Sequence, residues 1–324
     1  MFPYLLGLAL TFDFLNGFHD SSNLVATVIS SRALPPRLAL LLAAFSEFSG
    51  PFIFGVAVAK TVGDGLLSRS VLTSDVIIAA LTAAVLWNLF TWWIGLPSSS
   101  SHALVGGLLG AGIMAQGWVI VQVEGLMTIL IALLLSPLVG LLMGFIVMKV
   151  TLFTFRRASP AVNTVFKRFQ LVTLLGLGLS HGTNDAQKTM GIITLGLLLE
   201  GYITDFVVPT WVIAASAGAI ALGASLGGWR LIRTLGGRIY RIRPVHALTS
   251  QAAGAAVILG AALLGGPVST TQVMSSAIMG VGAAERINKV RWGILKDMLI
   301  AWLLTIPLVG VVAALGYLLL HALT

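Results

Sequence analysis

The chain has 324 residues, of which 57% are hydrophobic and 9% are charged, and its formal net charge is +8. A soluble domain carries about 25% charged residues, so this composition excludes a soluble protein and indicates an integral membrane protein with little mass outside the bilayer. The basic residues fall in short loops between apolar runs, which is typical of cytoplasmic loops and argues against a nucleic-acid partner. The absence of cysteine excludes disulfides and thiol chemistry.

Apolar segments follow one another along the whole chain. Their continuous character predicts helices, since strand-like alternation is absent and a spanning helix needs about 20 apolar residues. No basic region precedes the first run, so no cleavable signal peptide is expected. We therefore predict an all-α polytopic membrane protein with ten segments: 3–30, 38–59, 76–96, 98–115, 126–150, 171–198, 210–228, 245–265, 267–283 and 298–322.

Two matches relate the first half of the chain to the second. "GFHDSSN" at 17–23 aligns with "GTNDAQK" at 182–188, and "GLPSSSSHALVG" at 95–106 aligns with "GGPVSTTQVMSS" at 265–276. The polar, basic connector 151–170 separates the two copies. We expect a first repeat over 1–150, a cytoplasmic connector over 151–170 and a second repeat over 171–324.

The basic loops predict the orientation of the chain. Placing the loops that follow segments 3–30 and 210–228, the connector and the loop 286–296 inside the cell makes every segment alternate, with both termini outside. The first repeat then begins outside and the second begins inside. This inverted topology, with broken helices and paired hairpins that meet at the midplane, is typical of secondary transporters.

Two carboxylates lie in the middle of apolar segments. A carboxylate near the bilayer centre costs about 2.5–3.5 kcal/mol on insertion scales, so Asp20 and Asp185 are expected to face a polar interior. The nearby glycines predict that these helices unwind there and expose backbone groups. One helical turn later, on the same face as each acid, stand Asn23 and Lys188. The glycines in question are Gly17, Gly182 and Gly191.

Hydroxyl residues follow Pro97 and Pro267. Proline suits the first turn of a helix, and the free N–H groups of a helix start, together with hydroxyls, favour an anion. If each pair of segments forms a hairpin that dips to mid-membrane, the two starts meet around that anion. The alternative is that these hydroxyls bond to their own helix or to a neighbour, as Ser and Thr often do in membranes.

Other polar residues allow two readings. Asp13 and Glu47 have no counterparts in the other half, and either a proton path or local packing accounts for them. His102 aligns with Gln272, which argues against a metal or proton role shared by both halves. The basic stretch 229–244 is interpreted as a cytoplasmic loop in preference to a lipid-headgroup site.

The motifs resemble those of the PiT family of inorganic phosphate transporters, in its bacterial low-affinity branch. The resemblance covers essentially the whole chain and is carried by "NGFHDSSNLVATVISSRAL" (16–34), "SHGTNDAQKTMGI" (180–192), "GGWRLIRTLG" (227–236) and "PVSTT" (267–271). It implies an inverted-repeat bundle that moves phosphate with a coupling cation, H⁺ or Na⁺. The substrate residues that it implies are Asn23, Ser99, Ser100, Ser101, Asn184, Ser269, Thr270 and Thr271, and Asp20 and Asp185 would serve the coupling ion, as a Na⁺ site if sodium is used.

The chain departs from the sodium-coupled pattern, which resembles G-A-N-D-V-A-N in both halves. His19 stands where the first copy has Asn, and Lys188 stands where the second copy ends in Asn. Because histidine titrates near neutral pH and lysine supplies a fixed positive charge, we expect H⁺ to be favoured over Na⁺. Apart from this cation, no cofactor is expected.

These observations predict a symporter of the cytoplasmic membrane that imports phosphate by alternating access. Arsenate would pass as well, a metal–phosphate complex is compatible with the carboxylates, and a homodimer is compatible with such a bundle. The alternatives are a sulfate or other oxyanion symporter of the same fold, and an anion channel. A serine hydrolase is disfavoured because the second half has no histidine to act as a base beside its hydroxyls.

Overall fold

The computed structural model describes residues 1–68, 72–237 and 239–323, except for the side chains of residues 64 and 323. Within these ranges the regular elements are helices, and β-type pairing is confined to one antiparallel bridge between Leu67 and Val121. The predicted all-α architecture is confirmed.

Ten of the twelve α-helices in the described ranges correspond to the predicted segments in chain order, and two short helices, α3 Ala57–Gly65 and α9 Trp229–Gly237, are additional. The first half comprises α1 Phe2–Ser30, α2 Pro36–Phe54, α3 Ala57–Gly65, α4 Ser74–Ile94, α5 Ser100–Gln116 and α6 Val123–Thr154. The second half comprises α7 Val162–Leu199, α8 Thr210–Leu226, α9 Trp229–Gly237, α10 Pro244–Leu263, α11 Thr270–Glu285 and α12 Trp292–Leu323. Short 3₁₀ turns, Gly117–Ile120 and Ile287–Lys289, precede α6 and α12. The irregular part of the predicted connector 151–170 is shorter than expected, because α6 extends to Thr154 and α7 begins at Val162.

Structural details recur at corresponding positions of the two halves. The α4–α5 and α10–α11 hairpins turn at Gly95 and Gly265, whose φ angles of 75° and 74° are readily adopted by glycine alone. The helix that follows each hairpin contains one proline, Pro137 in α6 and Pro307 in α12. The halves therefore share one sequence of elements, as the aligned motifs predict. Their opposite orientation in the membrane stays a prediction.

The interruptions of the helices lie elsewhere than the sequence suggested. Helices α1 and α7 run unbroken through both aspartates, so the expected unwinding at Gly17 and Gly182 is wrong. A Cβ on Gly17 would lie 1.9 Å from the Ile220 carbonyl oxygen, and one on Gly182 would lie 2.0 Å from the Glu47 carbonyl oxygen. These glycines serve close helix crossings. The breaks separate α2 from α3 and α8 from α9, and the second pair bends by 69°.

The two halves are interleaved and do not form separate cores. Helix α1 packs against α8, and α7 packs against α2. The hairpin helix α5 packs against α12 of the second half, while α11 packs against α6 of the first half. Each hairpin is thus held by the long helix of the other half.

Six helices among the described residues are long and apolar enough to cross a membrane, and a seventh span results if the bent α8–α9 pair is counted as one. The ten predicted segments all coincide with helices. However, polar residues interrupt α1 and α7, and α11 has only 16 residues. The six are Pro36–Phe54, Ser74–Ile94, Ser100–Ile120, Val123–Thr154, Pro244–Leu263 and Trp292–Ala322.

The α5–α12 crossing yields a stability prediction. A Cβ on Gly110 would lie 2.0 Å from the Gly310 carbonyl oxygen, whereas a Cβ on Gly176 of α7 meets no atom within 4 Å. We expect Gly110→Ala to destabilise the protein by about 1–3 kcal/mol through overpacking, and Gly176→Ala to leave stability unchanged or slightly higher. Thermal unfolding of both variants in detergent, followed by size-exclusion chromatography, measures this. Equal midpoints would contradict the close crossing.

Candidate functional site

The candidate site lies where the middle of α1 and the middle of α7 meet the first residues of α11. Asp20 and Asp185 are almost completely buried, with exposed fractions of 2% and 1%. The hydroxyl of Thr270 lies 3.0 Å from Asp20 Oδ2 and 2.7 Å from Asp185 Oδ2. The two mirrored acids therefore converge on one threonine. A hydroxyl has a single proton to donate, so Thr270 serves one carboxylate at a time.

Asp20 is held by a second hydroxyl of the same helix start. Thr271 donates to Asp20 Oδ1 at 2.7 Å and accepts a hydrogen bond of 3.1 Å from Asn23 Nδ2. Asn23 Oδ1 is buried and has no hydrogen-bond partner. The spacing of Asp20 and Asn23 on one helical face explains why both reach Thr271. This arrangement leaves the asparagine carbonyl as an available acceptor beside the acids.

Lys188 links the second acid to both hairpins. Its ammonium group donates to Asp185 Oδ1, to Ser101 Oγ at 2.7 Å and to the Val268 carbonyl oxygen at 2.8 Å. All three N–H donors of the lysine are thereby used. Because Ser101 lies in the first turn of α5 and Val268 lies just before α11, the lysine joins the starts of these two helices beside the aspartates.

The other predicted substrate hydroxyls make local contacts. Ser99 and Ser269 cap α5 and α11, accepting hydrogen bonds from the N–H groups of His102 at 3.2 Å and Gln272 at 3.4 Å. Ser100 donates to Asn88 Oδ1 at 3.2 Å. These three hydroxyls make local hydrogen bonds of the kind that the alternative reading describes, and their role as substrate residues stays a prediction.

Two further predicted residues lie at the edge of the cluster. Asn184 donates to the Gly266 carbonyl oxygen at 3.1 Å, which ties α7 to the loop before α11. His19 lies with Nδ1 3.5 Å from Asp20 Oδ1 and Nε2 3.4 Å from Thr91 Oγ1. The histidine is therefore close enough to influence the charge of Asp20 but does not contact Asp185.

A second histidine, His181, is central to the site and was missed from the sequence. Its Nε2 lies 3.2 Å from Asp185 Oδ2 and 3.5 Å from Asp20 Oδ2, while its Nδ1 lies 2.7 Å from Glu47 Oε1. The available signal was its position four residues before Asp185, one helical turn away on the same face. His181 connects the two aspartates to Glu47, a third buried acid.

Asp13, for which the sequence allowed either a proton path or local packing, lies apart from this cluster. Its Oδ1 accepts a hydrogen bond of 2.6 Å from Thr189, and its Oδ2 is buried without a partner. The residue links α1 to α7 beyond the aspartates.

A cation could be held between the two aspartates. The atoms that Asp20, His181 and Asp185 offer as ligands all lie within 4.8 Å of one another. The predicted pair Asp20 and Asp185 is thus joined by an imidazole nitrogen. Lys188 already occupies the second oxygen of Asp185, so a cation would bind on the side that faces Thr270 and His181.

The site is a buried cluster of acids, hydroxyls and a lysine, enclosed by the hairpins of an apolar helix bundle. This arrangement is typical of a membrane transport protein. Comparison with known proteins identifies which kind. The model of the phosphate transporter family PHO4 matches residues 16–313, and this chain belongs to that family. It is a phosphate transporter of the PiT type and not an enzyme.

Relatives and one solved structure are similar over nearly the full length. A protein of Bacillus subtilis named "Probable low-affinity inorganic phosphate transporter" is 46% identical over 97% of this chain and 95% of its own. A Rhizobium meliloti protein of the same name is 43% identical over 98% and 96%. A solved structure titled "The sodium-dependent phosphate transporter" has a TM-score of 0.89 at 25% identity and covers 100% of this chain and 99% of its own.

The Lys188–Asp185 pair yields a second prediction. Removing one partner of a buried ion pair leaves an uncompensated charge and costs about 3–5 kcal/mol. We expect Lys188→Gln to lower the thermal midpoint strongly and the double variant Lys188→Gln/Asp185→Asn to recover part of the loss. Unfolding of the wild type, both single variants and the double variant gives the coupling energy. Additive effects would show that the two charges do not interact.

Proposed function

We propose that this phosphate transporter is a symporter that imports inorganic phosphate with a coupling cation, with H⁺ favoured over Na⁺, by alternating access. The observation that carries the proposal is the meeting of Asp20, Asp185 and Lys188 at the two hairpin starts. An anion site and a cation site would then share the same residues, so that occupancy of one site would change the affinity of the other.

The anion would bind between the starts of α5 and α11. Helix N-termini carry partial positive charge and N–H groups without intrahelical partners, which favour phosphate. Ser101 and Val268 lie on the two starts, 3.4 Å apart between hydroxyl and carbonyl oxygen. Lys188 is held at the same point, so phosphate could replace Asp185 as its anionic partner.

Selectivity would come from the acids. Phosphate at neutral pH keeps at least one P–OH group, which can donate a hydrogen bond to a carboxylate. Sulfate has no such donor, so its negative charge would only be repelled by the carboxylate. A site built to pair a substrate hydroxyl rejects an analogue that lacks it by large factors. Asp20 and Asp185 are placed for this role, and arsenate should behave like phosphate. The same carboxylates could contact the metal of a metal–phosphate complex.

Charge neutrality supports coupling. Asp20, Asp185 and Glu47 are buried together, and Lys188 is the permanently charged cation beside them in the described part of the chain, whereas His19 and His181 add positive charge only when they are protonated. Binding a further anion requires an added cation, and the two ligands would therefore stabilise each other reciprocally.

Two features favour protons over sodium at this site. His181 bridges Glu47 to the aspartates and can carry a proton between them, and Lys188 occupies an oxygen of Asp185 that a sodium ion would otherwise use. The sodium dependence stated for the related solved structure makes Na⁺ the second candidate, bound by Asp20 and Asp185.

The arrangement of loops supports the proposed orientation. Phe2 packs against Tyr202, with ring centroids 5.5 Å apart, and Ser74 donates a hydrogen bond to Glu200. The amino terminus and two of the loops predicted outside therefore lie together. Residues of three loops predicted inside, among them Arg32, Arg241 and Arg291, line one cavity. We propose a location in the cytoplasmic membrane with both termini outside.

Uptake into proteoliposomes tests the coupling. We expect an inward proton gradient to drive concentration of labelled phosphate and a sodium gradient imposed alone to have no effect. His19 stands where the sodium-coupled pattern has an Asn. We therefore expect His19→Asn to weaken proton-driven uptake or to introduce sodium stimulation. Intact proton-driven uptake without any sodium effect in this variant would refute the role of His19.

Two further readings of the same vesicles separate the alternatives. A channel would not concentrate phosphate against its gradient. If the protein were a sulfate transporter, unlabelled sulfate would strongly reduce the uptake of labelled phosphate. We expect concentrative uptake, competition by arsenate and little competition by sulfate.

Thr270 provides a matched pair of variants. A hydrogen bond to a charged group contributes about 1.5–3 kcal/mol, so Thr270→Val should lower phosphate uptake roughly 10- to 100-fold. Thr305→Val removes an equally buried hydroxyl that donates to the Ala301 carbonyl oxygen of its own helix and should leave uptake near that of the wild type. Equal uptake by both variants would place Thr270 outside the site.

A further inference from the structure

A second polar cavity lies away from the aspartates, at the end of the molecule where the loops predicted to be cytoplasmic gather. It has a volume of about 560 Å³ and is formed by the end of α1, the α9–α10 loop and the residue before α12. Four arginines line it: Arg32, Arg241, Arg243 and Arg291. They come from three separate parts of the chain, so the fold, and not a local run of basic sequence, brings them together.

The cavity is basic on its inner wall. None of its described lining residues is acidic, and neither Arg32 nor Arg241 forms an ion pair within the described part of the chain. Arg243 pairs with Glu285, which lies outside the lining. Like charges gathered around one cavity repel one another, so an anion would stabilise them.

The hydroxyls of the wall are already engaged. Ser30 donates to the Gly236 carbonyl oxygen at 2.8 Å, Ser31 donates to Gln170 Oε1 at 2.6 Å, and Tyr240 donates to the Ile278 carbonyl oxygen at 2.7 Å. These bonds fix the wall, and the guanidinium groups of Arg32 and Arg241 remain as donors for a ligand.

The backbone at Arg32 is also unusual. Its φ of 56° places a residue with a side chain in the left-handed region, at a cost of about 1–2 kcal/mol. The turn presents Arg32 to the cavity directly after α1 ends.

The size of the cavity and the type of donor define the ligand. Guanidinium groups match phosphate oxygens with paired hydrogen bonds, and the volume falls within the range of about 300–1,000 Å³ for ligand pockets. It therefore exceeds the needs of a single inorganic phosphate. We propose that this arginine pocket is an accessory site for a phosphate-bearing polyanion, either a soluble diphosphate-type anion or the headgroup of an anionic lipid.

Arg243 would pair either with Glu285 or with the bound anion. Glu285 is ionised at neutral pH, because hydrogen bonds from Lys289 and contact with His246 outweigh its partial burial and lower the pKa of Glu285 to about 2. An anion in the pocket competes with this carboxylate for Arg243. Removal of the Glu285 charge should therefore strengthen anion binding, whereas removal of pocket arginines should weaken it.

The test measures binding of radiolabelled pyrophosphate to the purified full-length protein in detergent, and retention of phosphatidylglycerol against phosphatidylcholine by native mass spectrometry. The pocket variant is Arg32→Gln/Arg241→Gln. Its control, Arg157→Gln/Arg168→Gln, makes the same charge change at exposed arginines that do not line the pocket. Monodisperse elution of each variant shows that it is folded.

We expect the pocket variant to bind at least about tenfold more weakly than the control, and Glu285→Gln to bind pyrophosphate more tightly than the wild type. Loss of pyrophosphate binding identifies a soluble anion, and selective loss of phosphatidylglycerol identifies a lipid headgroup. If the pocket variant and the control retain both ligands equally, the site does not exist. Unchanged or weaker binding by Glu285→Gln would overturn the exchange at Arg243.

Discussion

The site depends on a shortage of positive charge around buried carboxylates. Asp20, Asp185 and Glu47 lie within reach of the His181 imidazole, and Lys188, the permanently charged side chain beside them in the described structure, pairs with Asp185. An ionised carboxylate without a partner is costly in an apolar interior. The hydroxyls of Thr270 and Thr271 on α11 therefore donate to the two aspartates, and the remaining deficit of positive charge makes the site receptive to a cation.

The interleaved fold is what delivers those donors. Thr270 begins a helix that packs on α6 of the first half, yet its hydroxyl lies against acids of α1 and α7. Lys188 of α7 reaches back to Ser101 of the first hairpin. Because each hairpin leans on the long helix of the other half, neither half could shape the site alone. If the transporter works by the proposed alternating access, opening the site would separate a hairpin and its long helix from α1 and α7, and not simply one half from the other.

Much of this could be predicted from the sequence, because duplication leaves a readable signal. The mirrored motifs located Asp20, Asp185 and the hairpin starts, and the structure brings the two acids together on Thr270. The predicted unwinding at Gly17 and Gly182 was wrong because glycine is compatible both with an unwound helix and with close helix packing. Only the position of the neighbouring backbone distinguishes these two roles. The sequence motif also could not reveal that Ser99 and Ser269 are N-caps, since a capping hydroxyl and a ligand-binding hydroxyl occupy the same position at a helix start.

His181 shows a different limit of the sequence. Its link to Asp185 is local and could have been read from their four-residue spacing, but its link to Glu47 depends on how α2 crosses α7. That crossing is set by Gly182, where any side chain would collide with the Glu47 backbone.

The single proton of Thr270 gives the paired acids an asymmetry that equal residues would otherwise lack. While Thr270 donates to Asp20, the donors near Asp185 are Lys188 and His181, and while Thr270 donates to Asp185, Asp20 keeps the hydrogen bond from Thr271. A substrate that brings its own P–OH group would remove this competition. In doing so it would release Lys188 from Asp185 and add a negative charge that requires a cation. Under the proposed mechanism, substrate recognition and ion coupling would thus follow from the same pair of carboxylates.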